Sequence, residues 1–305
     1  MKFWVGVTDN NWYKFLAQLK PDEVNFWQPG GSQVFHAVDQ FAPFLFKLHY
    51  PENYIAGGGF FVRQSFLPLS FAWETFGQKN GTPDYETLRR KIIAKRKEST
   101  SDPTIGCILL AQPFFLSREE WIPAPEDFSK NIVQGKTYDM SGKIGAHLWR
   151  QVRERLDRDN IVPTEQIGEE QNRYGAPFQY YPRIGQDIFR VMVTEAYGRR
   201  CAISGEKTLP VLQAAHIKPY SELGPHRIEN GLLLRADMHI LFDKGYLTVT
   251  PDYHTEVSRQ IEVNFHNGKE YYKFHGRRLE VLPTQQKDRP SEAFLRWHNE
   301  KKFIP

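Results

Sequence analysis

The chain of 305 residues has little that would tie it to an export route, a membrane or a disulfide scaffold. It has only two cysteines, Cys107 and Cys201, which cannot frame a disulfide-rich fold or a four-cysteine zinc site. No structural zinc is therefore expected, and a reducing, cytoplasmic setting is. No apolar run approaches the length of a membrane span, and Met1–Thr8 turns polar too soon for a signal peptide, so no membrane partner is expected. Internal repeats and low-complexity tracts are missing, and the net charge of +4 is too mild to argue by itself for a polyanionic partner.

What is present is more informative. Basic residues cluster at Arg89-Arg90-Lys91 with Lys95-Arg96-Lys97, at Arg150–Arg158, at Arg199-Arg200 and at Arg277-Arg278. Such clusters suit a phosphate backbone, although Glu154, Asp157 and Asp159 make the Arg150–Arg158 run read as a salt-bridged exposed helix. The length favours two globular units, each large enough for its own core. From Phe3 to about Phe115 short aromatic, strand-like runs are separated by glycine and proline clusters, with one helix at Tyr85–Lys97 carrying Leu88, Ile92 and Ile93. A compact mixed barrel is the expected architecture. Apolar density falls over 128–182, which reads as a helical linker or arm. A second unit, 183–305, opens with a helix bearing Ile188, Val191, Met192 and Ala196 inward.

Within that second unit, Val211–His216 reads as a strand, Pro219–Gly224 as a loop, Gly231–Leu234 as a second strand and Met238–Lys244 as a helix, with Asp237 as its N-cap and Gly245 just beyond its end. On the helix His239 and Asp243 are four residues apart and share a face, where an imidazole and a carboxylate can hold a divalent cation. Asn267–Tyr272 reads as a following β-hairpin.

The segments Ala214-Ala215-His216-Ile217, Asn230-Gly231-Leu232-Leu233-Leu234 and His239 with Phe242-Asp243 resemble the HNH nuclease family and its ββα-metal fold. The resemblance covers about Arg183 to Tyr253. It implies that His216 is the general base, Asn230 the organiser of the loop between the strands and His239 a metal ligand, with Asp243 where a further ligand is often found. It also implies Mg²⁺, or Mn²⁺ in its place, and a 5′-phosphate product. Ala215 departs from the Asp or His that many such enzymes carry there as a ligand, which shifts weight to Asp243, with Gln213 or Asp237 as alternatives. Cys201 stands where other HNH proteins carry half of a zinc-binding pair, and it has no partner. Arg183, Arg190, Arg199, Arg200 and Lys218 are candidate phosphate contacts. His49, His147 and His298 have no partners at informative spacing.

The first half resembles PUA-like domains, the superfamily of SRA- and EVE-type modified-base readers, through Phe3–Val7, Asn25–Gly31, Ile55–Phe61 and Trp73–Asn80. That resemblance implies a pocket for an extruded base, with Trp27, Tyr54, Trp73 and Phe76 as candidate walls and Asn25 as a candidate edge contact. The expectation is thus an α+β protein: a PUA-like barrel (1–127), an arm (128–182) and an HNH module (183–305). It would cut double-stranded DNA carrying a modified base in a restriction or phage-defence role, with a homodimer suited to double-strand cuts. The alternatives are an HNH nuclease without base selectivity and a non-catalytic nucleic-acid-binding protein.

Overall fold

The computed structural model describes residues 1–96, 100–158 and 182–305, and the chain divides into two compact units, Met1–Gly185 and Gln186–Pro305. Among the described residues no helix is long and apolar enough to cross a membrane. Both units mix helices and strands, so the fold is α+β.

The first unit is built on β1 (Lys2–Thr8), β2 (Glu23–Gln28), β3 (Pro43–Leu48), β4 (Tyr54–Pro68), β5 (Thr104–Phe115), β6 (Ile122–Pro123) and β7 (Gly135–Asp139). They form one mixed sheet in the order β2-β5-β4-β3-β1-β7, with β6 also on β4; β1 and β3 run parallel and the other pairs antiparallel. The ladder is open among the described residues, since nothing pairs β2 with β7. The barrel expectation therefore gives way to a long sheet bent by bulges in β4, between Gly58 and Phe60 and between Phe61 and Arg63. The glycine run Gly57-Gly58-Gly59 lies inside β4 rather than between strands. Neighbouring backbone crowds it: a Cβ on Gly57 would overlap the Phe114 carbonyl oxygen, and one on Gly58 would press on that of Phe44.

Strand alternation gives the sheet two apolar faces. One buries Phe44, Phe46 and Leu48 with Trp12, Tyr13 and Leu16 of α1 (Asn10–Leu19), whose N-terminus is capped by the Asp9 carboxylate accepting from Trp12 N. The other buries Phe3, Val5 and Leu45 with Leu148, Trp149, Val152 and Leu156. α2 (Leu69–Phe76) and α3 (Tyr85–Ile93) lie between β4 and β5 in sequence, and α3 buries Leu88 and Ile92. The second apolar face belongs to α4 (Lys143–Arg158), so β7 and α4, expected in a separate arm, pack in the core of this unit. The run Asp159–Arg173 and Lys97 lie outside the described residues.

The second unit begins with α5 (Gln186–Ala196), followed by β8 (Leu212–His216), β9 (Gly231–Arg235) and α6 (Ala236–Asp243). β8 and β9 pair antiparallel, Ala215 opposite Leu232 and His216 opposite Gly231. α5 packs so closely on the turn into β9 that a Cβ on Gly231 would collide with Val193. Phe189 and Val193 of α5, Leu212 and Ala215 of β8, Leu232–Leu234 of β9, and Met238 and Phe242 of α6 share one core. The hairpin of this unit is β10 (Leu247–Val249) with β11 (Thr255–Val257). Then come α7 (Gln260–Phe265), α8 (Lys269–Tyr272) and α9 (Glu292–Lys301), so the hairpin expected at Asn267–Tyr272 is instead helical. The expected cap of α6 also differs: Arg235 occupies the N-cap position and Asp237, in the first turn, pairs with the Arg235 guanidinium at 2.6 and 2.7 Å.

Candidate active site

The strand, loop, strand and helix of β8, residues 217–230, β9 and α6 place the polar residues named above around one loop. His216 ends β8, and its ring stacks on Phe189 with centroids 4.0 Å apart and planes 14° from parallel. Its Nε2 is buried and has no hydrogen-bond partner, an orphan of the kind that calls for a bound solvent molecule, ion or catalytic role. Burial holds its pKa down at about 4, with the nearby His226 and His239 adding to the effect, so the imidazole is neutral at pH 7.

Asn230 is fully buried. Its Oδ1 accepts from Lys218 N at 2.9 Å, and its Nδ2 donates to Lys218 O at 2.9 Å and Pro225 O at 3.0 Å. One amide thus ties together both limbs of the loop, the part leaving His216 and the part returning to β9. This arrangement needs an amide, because one donor group and one acceptor must be offered from the same carbon.

His239 and Asp243 lie on the same face of α6, with His239 Nε2 3.3 Å from Asp243 Oδ2. The Gln213 side-chain oxygen meets His239 Nδ1 at 2.8 Å, so Nδ1 donates and Nε2 presents its lone pair towards the carboxylate. Two electron-rich atoms at that distance need a proton or a cation near them. Burial lowers the His239 pKa, with Asp243 acting in opposition, which disfavours the proton. The pair therefore fits a divalent cation, with Gln213 orienting the imidazole. Among the described residues no group of three His, Cys, Asp or Glu side chains converges on such a point. Asp237 is turned away from this role by Arg235 and by Tyr271, whose hydroxyl donates to it at 3.2 Å. Ala215 is buried in the core.

The remaining sequence candidates scatter. Arg199 pairs with Glu195 at 2.8 Å and Arg200 with Glu280 at 3.7 Å. Lys218 Nζ lies over the Trp297 ring, 5.7 Å from its centroid. Arg190 is half-buried on α5. Arg183 is exposed within the first unit, where its backbone N–H donates to Gln112. Cys201 is buried, and its sulfur accepts from the backbone N–H groups of Ser204 and Arg235. His298 is a buried structural group, bonded to Thr248 Oγ1 and the Phe242 carbonyl oxygen.

In the first unit the proposed base-pocket residues do not converge. Phe76 is buried in the core, Tyr54 packs near Trp121 and Trp73 near Tyr85. Asn25 is also fully buried; its Nδ2 donates to Asn80 Oδ1, and Asn80 in turn accepts from Trp27 Nε1 through its backbone oxygen. Trp27 does line a cavity of about 290 Å³, together with Asp9, Trp12, Phe26, Gln28, His49 and Lys95. Lys95 Nζ stands over the Trp27 ring, 5.5 Å from its centroid. Trp12 Nε1 and Gln28 Oε1, a donor and an acceptor, are both buried without partners. Sequence reasoning missed Trp12 and Gln28, and it passed over His49 and His226.

Residues 201–250 match the family model described as HNH endonuclease. The matched stretch includes β8, β9 and α6. Among solved structures, the chain is similar to a mutant of the ASCH protein from Zymomonas mobilis, with 11% identity and a TM-score of 0.33 over 49% of this chain and 97% of that one. It is also similar to the modification-dependent restriction endonuclease TagI, with 14% identity and a TM-score of 0.29 over 92% of this chain and 75% of that one. No curated protein matches the chain.

Proposed function

We propose that the chain is a metal-dependent DNA endonuclease whose first unit admits a modified base and whose second unit hydrolyses the phosphodiester bond, in a role restricting foreign DNA. The observation carrying the nuclease reading is the neutral His216, with an orphaned ring nitrogen, beside the cation-ready His239 and Asp243. The His216 imidazole accepts a proton from a water molecule as the water oxygen attacks phosphorus. The bond from phosphorus to the 3′ oxygen breaks, that oxygen takes a proton from solvent, and the products are a 5′-phosphate and a 3′-hydroxyl. His239 and Asp243 would hold Mg²⁺, or Mn²⁺ in its place, which supplies neutralising charge for the phosphate and the leaving oxygen. Asn230 keeps the loop in register throughout.

Selectivity is assigned to the cavity containing Trp12, Trp27 and Gln28. Its aromatic walls suit stacking on one extruded base. A second copy of the chain would supply the second cut of a duplex.

The test uses the full chain with Mg²⁺ or Mn²⁺ and three otherwise identical DNA fragments, made with cytosine, 5-methylcytosine or 5-hydroxymethylcytosine. Preferential cutting of a modified fragment, lost in Trp27→Ala while cutting persists, is the expected result. Equal cutting of all three by the wild type removes the reader. Salt-sensitive binding without cutting under any metal replaces the nuclease reading with the non-catalytic one.

A further inference from the structure

The loop between β8 and β9 carries at its tip the two most exposed large apolar side chains among the described residues of the second unit, Tyr220 at 65% and Leu223 at 89%. They belong to one short turn. Glu222 N and Gly224 N donate to Pro219 O, and Leu223 N donates to Tyr220 O. Leu223 ends the turn at φ +63° and ψ +27°, in the left-handed region. A lone exposed leucine is ordinary on a protein surface. In that conformation it is not, because its Cβ crowds the backbone where a glycine would sit freely. Leu223 thus holds strain while burying almost nothing. Strain without packing in return points to a role outside the fold.

The tip is mounted rigidly and close to the candidate base. The Tyr220 ring is 4.8 Å from that of His226, which in turn is 5.0 Å from that of His216. The Asn230 amide ties Lys218 to Pro225, one residue on each side of the turn. Gly224 passes so near Lys218 O that a Cβ there would overlap the oxygen, so backbone closes the neck of the turn. Successive phosphates of one strand stand only about 3.4 Å apart along the duplex axis. A rigid apolar point two ring spacings from His216 therefore faces the base steps next to the bond being cut. Lys218 before the turn and Arg227 after it suit the phosphates flanking such a step, although Glu222 lies between them and Glu229 meets Arg227 at 3.6 Å.

We propose that Leu223 is a wedge for double-stranded DNA, inserting its side chain from the minor groove between two base pairs at the step beside the bond cut at His216. The proposal rests on the nuclease reading. An apolar side chain inserted in this way unstacks the step and kinks the duplex, and the extra surface brought into contact offsets the lost stacking. The parted step opens the backbone around the scissile phosphate to the base.

The experiment uses the full chain with Mg²⁺ or Mn²⁺ and whichever of the three cytosine-variant fragments the wild type cuts fastest. Its cut position is mapped, and 2-aminopurine, which brightens when unstacked, is placed at the adjoining step. Wild type, Leu223→Ala and Leu223→Gly are compared in single-turnover cleavage and in urea unfolding. Wild type should brighten the probe before cleavage and both variants should not. Their kcat/KM should fall by about 10–100-fold, the worth of burying one leucine side chain. A mismatched pair at the same step, already easy to unstack, should restore most of the loss. Leu223→Gly should unfold at the same urea concentration as wild type or a higher one, since glycine relieves the strain. Wild-type cleavage by Leu223→Gly, or brightening that persists in it, would overturn the wedge and leave the nuclease reading standing. A lower urea midpoint in Leu223→Gly would overturn it too, because leucine would then serve the fold. A wild type that cuts none of the fragments would overturn the nuclease reading and this inference with it.

Discussion

Asn230→Ala tests the loop clamp most directly. The substitution removes the acceptor for Lys218 N–H and the donor for the Lys218 and Pro225 carbonyl groups, three hydrogen bonds centred on a fully buried side chain. At about 1 kcal/mol net for each bond, the second unit should lose about 3 kcal/mol. With a urea slope of roughly 1–3 kcal/mol per molar, its unfolding midpoint should fall by about 1–3 M. Asn230→Asp sharpens the test. It keeps an acceptor for Lys218 N–H but points a second carboxylate oxygen at two carbonyl oxygens, so it should be no more stable than Ala. Urea titration followed by circular dichroism gives the stability. Hydrogen exchange in a peptide spanning 217–230 locates the damage, because the Lys218 amide should lose protection first. A loss under about 1 kcal/mol in Ala, or wild-type stability in Asp, would refute the clamp.

Two further outcomes follow from the second unit. His298 is buried with its pKa held down at about 4, burial outweighing the Phe242 carbonyl bond. The unfolded chain binds that proton near pH 6.5, so the contribution is intact above pH 6.5 and is lost as pH falls towards 4: about 2 kcal/mol between pH 7 and pH 5, with His216 acting in the same direction. Urea curves at the two pH values that superimpose would contradict this. Gln213→Leu should leave the fold intact but free the His239 ring, raising the Mn²⁺ concentration for half-maximal cleavage by roughly 10–100-fold; an unchanged metal titration would show that Gln213 does not orient the ligand.

The legible part of the site is the part written in consecutive residues. His216, Asn230 and His239 stand at the spacing of one strand, one loop, one strand and one helix, and the match over residues 201–250 falls on the same stretch. What escaped the sequence depends on contacts that spacing does not encode. The Gln213 contact with His239 joins β8 to α6 across 26 positions, and Gln213 read only as a possible ligand. Asp237 looked like a helix cap because it precedes an apolar run, but the adjacent Arg235 offers it two charge-assisted hydrogen bonds. In the first unit the aromatic candidates were chosen by chemical type. The cavity instead draws on β1, α1, β2, the end of β3 and residues 95 and 133–134, segments that only the sheet order brings together. Asn25 and Trp27 show the limit well: two residues apart on β2, they join the same Asn80, yet only Trp27 reaches the cavity.

The low basicity of His216 bears on how such a site would operate. A base with a pKa of about 4 is always available at pH 7 but accepts a proton weakly, and the usual optimum lies nearer the working pH. Burial and the neighbouring histidines are the causes. A phosphodiester entering beside the ring brings a negative charge within a few ångströms, which favours the imidazolium and raises the pKa. On the proposed reading the phosphate charge acts against burial while the cation that His239 and Asp243 would hold acts with it, so the basicity of His216 depends on how closely each approaches the ring. The stacked Phe189 supplies the low-polarity wall that makes the added charge effective, and Asn230 holds the loop so that the ring does not move to relieve it.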